Sequence, residues 1–122
     1  MARVKAHVSR YEQLTAKEQT RIAQLSFGRL TLEAKSHRVF NDGEEVHLTN
    51  REFELLQFLM ENRSLVFSRE TLFERIWGLD ALGDSATVAV HINRIRDKIE
   101  PDPAHPSYIE TVRGAGYRFH RD

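Results

Sequence analysis

The sequence predicts an α+β fold in which a small antiparallel sheet precedes three helices and a β-hairpin follows them. Three observations support this class. Apolar and polar residues alternate between Leu25 and Leu48, which is typical of short strands with one buried face. From Thr49 to Ile99 the apolar residues recur every three or four positions, as they do in amphipathic helices. Alternation then returns on either side of a glycine-rich turn.

The composition is typical of a globular domain, because 40% of the 122 residues are hydrophobic and 30% are charged. The 18 Lys and Arg balance the 18 Asp and Glu, which excludes a surface coated in positive charge but allows a local basic patch. The absence of cysteine excludes disulfides and zinc–thiolate sites. The sequence also lacks a long apolar segment and a signal-peptide pattern, so we expect a cytoplasmic protein.

The amino-terminal residues differ in pattern from those that follow. Val4, Val8 and Tyr11 have helical spacing, which predicts one or two turns of amphipathic helix in residues 1–11. Residues 12–21 are polar and show no periodicity, as is typical of a linker. We therefore expect residues 22–122 to form the folded domain.

Four short strands are predicted in the first part of this domain. Gly28 separates the first two, and Asn41-Asp42-Gly43 predicts a tight turn between the last two, because glycine adopts a positive φ at low cost. The apolar residues of the four strands are Leu25 and Phe27, Leu30 and Leu32, Val39 and Phe40, and Val46 and Leu48.

Two helices with clear start signals follow the predicted sheet. Thr49 is the N-cap of the first, and Glu52 completes a capping box three residues later. The extended segment Ser64–Phe67 leads to Ser68, which caps the second helix, and Gly78 ends that helix. The apolar faces of the two helices comprise Phe53, Leu55, Leu56, Leu59 and Met60, and Leu72, Phe73, Ile76 and Trp77.

The third helix, Ala86–Ile99, carries two unlike stripes. Asp84 or Ser85 is its N-cap, and Pro101 and Pro103 prevent its continuation. At about 100° per residue, one stripe is apolar and is expected to face a core: Val88, Ile92, Ile95 and Ile99. The second stripe is polar and is expected to point outward: Thr87, His91, Arg94 and Lys98.

The chain ends in a predicted β-hairpin. Its strands run from Tyr108 to Val112 and from Tyr117 to His120, and Arg113 lies at the glycine-rich tip between them. The predicted order of elements is that of a winged helix-turn-helix: a sheet, a helix, a short strand, a helix, a loop, a long helix and a hairpin.

The third helix of such a fold fits the major groove of B-DNA. Arg94 is therefore a candidate for pairing with a guanine edge, and Thr87 and His91 are candidate contacts to phosphates or bases. Arg113 is a candidate for insertion into a narrow minor groove.

Each candidate also has a purely structural interpretation. A stripe with one Arg, one Lys and one His is common on solvated helices. Arg113 is compatible with an ordinary surface position. Arg96 and Asp97 are compatible with an exposed ion pair. Trp77 is expected to pack rather than to stack on a ligand. The six histidines lack metal-ligand spacing, and the glycine turn lacks the third glycine of a dinucleotide-binding loop. No residue lies in a recognisable catalytic context, so we expect no enzyme activity, no metal and no cofactor.

Four segments resemble the successive signatures of the effector domain of OmpR/PhoB-type response regulators. They cover about Leu25 to His120 and read LTNREFELLQFL, SRETLFERIWG, ATVAVHINRIRDKIE and YIETVRGAGYRF. The resemblance implies a winged helix-turn-helix with an amino-terminal four-stranded antiparallel sheet, three helices and a carboxy-terminal hairpin wing. It also implies sequence-specific binding to double-stranded promoter DNA on direct-repeat half-sites, and control of transcription in a two-component system.

The resemblance assigns contacts to particular residues. In the third helix it implies DNA contacts at Thr87, Val90, His91, Arg94 and Arg96. The polar stripe adds Lys98 as a further candidate contact. It implies further DNA contacts by Thr111 and Arg113 in the wing and by Trp77. The loop that resembles the RNA polymerase contact of activating members comprises Leu79, Asp80, Ala81, Leu82, Gly83 and Asp84. Ala86 and Asn93 stand where many relatives carry arginine, which predicts lower phosphate affinity and different preferred bases.

Residues 1–11 resemble the end of the last helix of a receiver domain, the module that a cognate sensor kinase phosphorylates. We therefore expect a carboxy-terminal piece of a longer regulator, with Met1 added for expression, that is monomeric off DNA. The alternative function is a winged-helix protein-interaction module that does not read DNA. Salt-dependent binding to duplex DNA separates the two, because phosphate contacts release counterions.

Overall fold

The structure, a computed structural model, describes residues 24–78 and 83–120. Four strands come first, followed by a helix, a short strand, two helices and two strands. The strands are β1 Gln24–Phe27, β2 Leu30–Glu33, β3 Arg38–Asn41, β4 Glu44–Val46, β5 Val66–Phe67, β6 Ile109–Val112 and β7 Gly116–Phe119. The helices are α1 Asn50–Glu61, α2 Arg69–Trp77 and α3 Ala86–Ile99. This order confirms the predicted α+β winged helix-turn-helix. The helix and linker predicted for residues 1–21 lie outside the described residues.

The amino-terminal sheet is antiparallel, with the order β1-β2-β3-β4. Leu32 is paired with Val39, which is paired in turn with Val46, so the inward side chains line up across the sheet. Asp42 and Gly43 both have a positive φ, at 56° and 85°, as a two-residue turn between twisted strands requires. The hairpin predicted from Asn41-Asp42-Gly43 is therefore confirmed.

The second sheet has the order β5-β7-β6 and forms the wing. β6 begins at Ile109 instead of Tyr108 and ends at Val112 as predicted, whereas β7, at Gly116–Phe119, begins and ends one residue earlier than predicted. Tyr108 lies directly before β6, and its N–H donates to the carboxylate of Glu100, the C-cap of α3. The pairing of β5 with β7 fastens the wing to the segment between α1 and α2.

The helix starts follow the predicted capping chemistry. The Glu52 N–H donates to Thr49 Oγ1, and the Thr49 N–H donates to Glu52 Oε1, which is the complete capping box. Ser68 Oγ accepts the Thr71 N–H at 3.1 Å. At α3 the N-cap residue is Ser85, which makes no capping hydrogen bond with its side chain, and Asp84 Oδ1 accepts the Ala86 N–H instead.

The core lies between the amino-terminal sheet, the three helices and the wing. The apolar stripe of α3 is confirmed, because all four of its side chains are fully buried: Val88, Ile92, Ile95 and Ile99. Asn41 Nδ2 donates to the Ile99 carbonyl oxygen at 3.0 Å, which ties β3 to the carboxyl end of α3. The apolar stripe thus fixes which face of α3 is left for solvent. None of the three helices that the structure describes is long and apolar enough to cross a membrane.

Candidate nucleic-acid interface

The outward face of α3 lies opposite its buried stripe. Ala86, Val90, Asn93 and Asp97 occupy the centre of this face, and Arg94 lies beside them; all five are exposed. Val90 keeps 47% of its surface exposed, which is unusual for a branched apolar side chain in a described helix. The face therefore combines apolar, amide, guanidinium and carboxylate groups, a mixture that can distinguish base edges.

The polar stripe of α3 is not the most outward part of the helix. Thr87 and His91 are half-buried, and the His91 ring meets the Trp77 ring edge-on, with centroids 4.9 Å apart and planes at 82°. His91 Nδ1 lies 2.8 Å from the Thr87 carbonyl oxygen. Because a carbonyl oxygen only accepts, the ring proton is assigned to Nδ1. The prediction that the whole stripe points freely outward is therefore wrong for His91.

Lys98 is exposed as predicted, but its ammonium group is bound within the domain. Lys98 Nζ donates to Glu52 Oε1 at 2.8 Å, and the Glu52 side chain is only 1% exposed. Burial acts to raise the pKa of Glu52, but the hydrogen bonds from Lys98 and from the Thr49 N–H outweigh it, so the pKa lies below its usual value. Lys98 thus lies at the edge of the face, with its charge neutralised by α1.

Trp77 packs as expected, although it remains partly exposed. Its ring stacks on Phe73 with centroids 5.6 Å apart and planes at 13°. The Arg51 guanidinium lies 5.8 Å from the ring centroid, and Arg51 also donates to the Ile76 carbonyl oxygen. The indole therefore joins the end of α2 to His91 on α3.

The wing is held against α3 by Arg96. Its Nε and Nη2 donate to the Ile109 carbonyl oxygen at 3.2 and 2.8 Å, and Nη2 also donates to Thr111 Oγ1 at 2.8 Å. The guanidinium lies 5.8 Å from the Tyr117 ring centroid. Burial lowers the pKa of Arg96. The interpretation of Arg96 and Asp97 as an exposed ion pair is wrong, since the partners of Arg96 lie in the wing.

Two exposed arginines have no partner in the ranges 24–78 and 83–120. Arg94 lies on the outward face of α3, and Arg113 lies at the tip of the wing, before Gly114 with its φ of 78°. Neither makes a hydrogen bond or an ion pair with another described residue. Both guanidinium groups are available for an external anion. In the same ranges, no group of three or more His, Cys, Asp or Glu could hold a metal ion.

Residues 43–119 match the family described as transcriptional regulatory protein, C terminal. The chain belongs to this family. The solved structures that it resembles identify the family members as OmpR/PhoB-type DNA-binding domains of response regulators, which are transcription regulators and not enzymes.

Three solved structures illustrate the likeness of this OmpR/PhoB-type domain. The response regulator DrrB of Thermotoga maritima is 42% identical with a TM-score of 0.75, over 80% of this chain and 44% of DrrB. The Klebsiella pneumoniae RstA DNA-binding domain in complex with the RstA box is 31% identical with a TM-score of 0.73, over 81% of this chain and 98% of that domain. The DNA-binding domain of CpxR from E. coli is 27% identical with a TM-score of 0.68, over 81% of this chain and 98% of that domain. The chain thus spans less than half the length of DrrB.

One buried carboxylate of this OmpR/PhoB-type domain, with partners in the wing segment, was not predicted from the sequence. Glu100 is 6% exposed, and its carboxylate accepts the N–H groups of Ser107, Tyr108 and Ile109 at 2.6, 2.9 and 2.9 Å. A carboxylate at the carboxyl end of a helix opposes the helix dipole. This unfavourable position, directly before Pro101, was the signal in the sequence that Glu100 has a partner elsewhere.

The loop between α2 and α3 is described only at its end. Leu79–Leu82 lie outside the described residues, whereas Gly83 and Asp84 are exposed. The Asp84 carboxylate accepts the Ala86 N–H at 2.9 Å, so it serves as a cap for α3. The assignment of this loop to RNA polymerase stays a prediction.

Proposed function

We propose that this domain binds double-stranded DNA sequence-specifically, with α3 in the major groove and the wing at the adjacent minor groove, and so regulates transcription. The observation that carries the proposal is the arrangement of Arg94 and Arg113, the two arginines without a partner among the described residues. Arg94 extends from the exposed face of α3, and Arg113 extends from a hairpin that Arg96 fastens beside the same helix. Two cations on neighbouring elements can contact the backbone and the grooves of DNA at two neighbouring positions.

The side chains of α3 suit different parts of the DNA. Arg94 suits the O6 and N7 acceptors of guanine, and Val90 suits an apolar contact with a base edge. Thr87, His91 and Trp77 lie at the flank toward α2, where a phosphate backbone would pass, and they are assigned to backbone contacts. RstA, a relative with 31% identity, is known in complex with its DNA box, which supports this assignment.

The proposal is tested by measuring duplex binding as a function of salt. The wild-type domain is first used to select its preferred site from random DNA. Arg94→Ala should then cost about 1–3 kcal/mol on the selected site and much less on random duplex. The control is Lys35→Ala, an exposed cation in the turn between β2 and β3, which should bind both duplexes as wild type does.

Two outcomes would count against the proposal. Equal losses by Arg94→Ala on both duplexes would reduce Arg94 to a phosphate contact. An absence of salt-dependent binding by the wild-type domain would instead favour the protein-interaction module, because every phosphate contact releases counterions.

The role in a longer regulator rests on the resemblance alone. Residues 1–11 are assigned to the last helix of a receiver domain, residues 12–21 to a linker, and the cognate sensor kinase to that receiver. The loop of residues 79–84 is assigned to contact with RNA polymerase. Residues 1–122 expressed by themselves should bind one half-site weakly and gain only modestly on two direct repeats, since it is a receiver domain that would raise the effective concentration of a second effector domain. Gel shifts on one-site and two-site duplexes, with and without acetyl phosphate, test this, and a gain with phosphodonor would contradict it.

A further inference from the structure

The carboxyl end of α3 holds one residue of the wing by both of its backbone polar groups. Arg96 donates to the Ile109 carbonyl oxygen, and Glu100, one helical turn later, accepts the Ile109 N–H. The order β5-β7-β6 makes β6 an edge strand of the wing sheet, so its outer backbone groups need partners. At Ile109 these partners are the side chains of Arg96, in α3, and of Glu100, its C-cap.

Arg96 has only its two Nη1 donors left for DNA. A guanidinium has five N–H donors, and the Nε donor and both Nη2 donors are directed at Ile109 and Thr111. The Tyr117 ring lies 5.8 Å away, and the residue as a whole is half-buried. A phosphate contact by Nε or Nη2 would have to compete with three hydrogen bonds inside the domain.

We infer that Arg96 and Glu100 form a clamp that fixes the position of the wing relative to α3, and that Arg96 is a positioning residue and not a phosphate contact. The inference rests on the proposed DNA binding. Because the clamp joins the wing to α3 as one rigid unit, it sets the distance between Arg94 and Arg113. A wing already held in place loses less conformational entropy when it binds.

The clamp predicts that Arg113 contributes to affinity only while Arg96 is in place. In the wild type, Arg113→Ala should weaken binding to the selected site by about tenfold. In an Arg96→Met background the same substitution should weaken it by less than about threefold, because an unclamped wing no longer delivers Arg113. Arg96→Lys keeps the charge but not the forked geometry, and it should behave as Arg96→Met does.

The salt dependence separates a clamp from a phosphate contact. In the Arg113→Ala background, Arg96→Met should leave both the affinity and the slope of log K against log salt unchanged. A phosphate contact by Arg96 would instead lower the slope by about 0.9 in that background, and that result would overturn the inference while the proposed function stands. Loss of salt-dependent binding by the wild type would overturn the function itself.

The second half of the clamp gives an independent test that involves no cation. Removing a negative charge near DNA ordinarily strengthens binding, whereas Glu100→Gln should weaken it by releasing the wing. All titrations are made at a temperature where thermal unfolding shows each variant to be folded. If Glu100→Gln does not fold, the comparison of Arg96→Lys with Arg96→Met decides. Tighter binding by folded Glu100→Gln, or wild-type binding by Arg96→Lys, would contradict the clamp.

Discussion

At Gly116, β7 lies close against the backbone of β5 and the start of α2. A Cβ added there would overlap the Phe67 carbonyl oxygen and lie 2.7 Å from the Phe67 carbonyl carbon and 2.8 Å from Ser68 Cα. All of these are backbone atoms of β5 and the start of α2, which cannot move aside as a flexible side chain can. Gly116→Ala should therefore push β7 away from β5.

Gly114, two residues earlier in the same turn, is the matched control. Its φ is 78°, and a Cβ there would meet nothing within 4 Å, so Gly114→Ala costs only the left-handed conformation, about 1–2 kcal/mol. Gly116 has a φ of 141°, which costs an alanine about 1–3 kcal/mol, and the overlap adds about 1–3 kcal/mol. We expect Gly116→Ala to lower the free energy of unfolding by about 2–6 kcal/mol in total.

Thermal and urea unfolding of the two variants measure this difference. At about 4–8 °C per kcal/mol for a domain of this size, Gly116→Ala should melt well below Gly114→Ala. Both variants should unfold in a single transition, so that the free energies are comparable. Equal destabilisation by the two alanines would show that backbone conformation alone explains the glycine at 116, and the overlap argument would be wrong.

Three further predictions concern α3, its partner on α1 and the wing. Ile95→Ala should lower the free energy of unfolding by about 2–5 kcal/mol, whereas Val90→Ala on the exposed face should change it by less than about 0.5 kcal/mol; an unchanged melting temperature for Ile95→Ala would contradict the assignment of faces. The pKa of Glu52 is lowered in the folded state, so its contribution is present at neutral pH and is lost as the pH falls through that lowered pKa. Urea unfolding should therefore show that Glu52→Gln lowers the free energy of unfolding at pH 7 and lowers it less in acid. Lys98→Met should lower the free energy of unfolding with the same pH dependence. A decrease that does not depend on pH would refute the ion pair. Arg113→Ala should weaken DNA binding most on sites with A·T-rich flanks, where the minor groove is narrow. Gel shifts that show the same loss of affinity on sites with G·C-rich flanks would exclude a minor-groove contact.

Much of the fold follows from signals that act over a few residues. The capping box of Thr49 and Glu52, the turn at Asp42 and Gly43, and the four buried side chains of α3 depend on neighbours within one or two turns. Such local chemistry leaves a pattern that can be read without knowing the partner element. These predictions are confirmed.

The polar stripe shows why the site was harder to predict. Periodicity gives the angle between stripes but not which neighbouring helix covers the space beside the core. Because α1 and α2 pack against α3 on the side of that stripe, His91 meets Trp77 and Lys98 meets Glu52, and the outward centre of the helix shifts toward Val90 and its neighbours. The partners of Arg96 and Glu100 were equally hidden, because they lie beyond the end of the helix in a different sheet.

The pairing of β5 with β7 joins two parts of the chain that are separated by α2, α3 and β6. Closing so long a segment costs chain entropy that the short hairpins of the amino-terminal sheet do not incur. Contacts of this kind form late, after the local ones have reduced the freedom of the intervening chain. We therefore expect the β5–β7 pairing to be the last part of the sheet to form and the first to open, so that its amides exchange with solvent before those of α1. The hairpin assigned to the minor groove would then be attached to the helices only once the three helices are already in place.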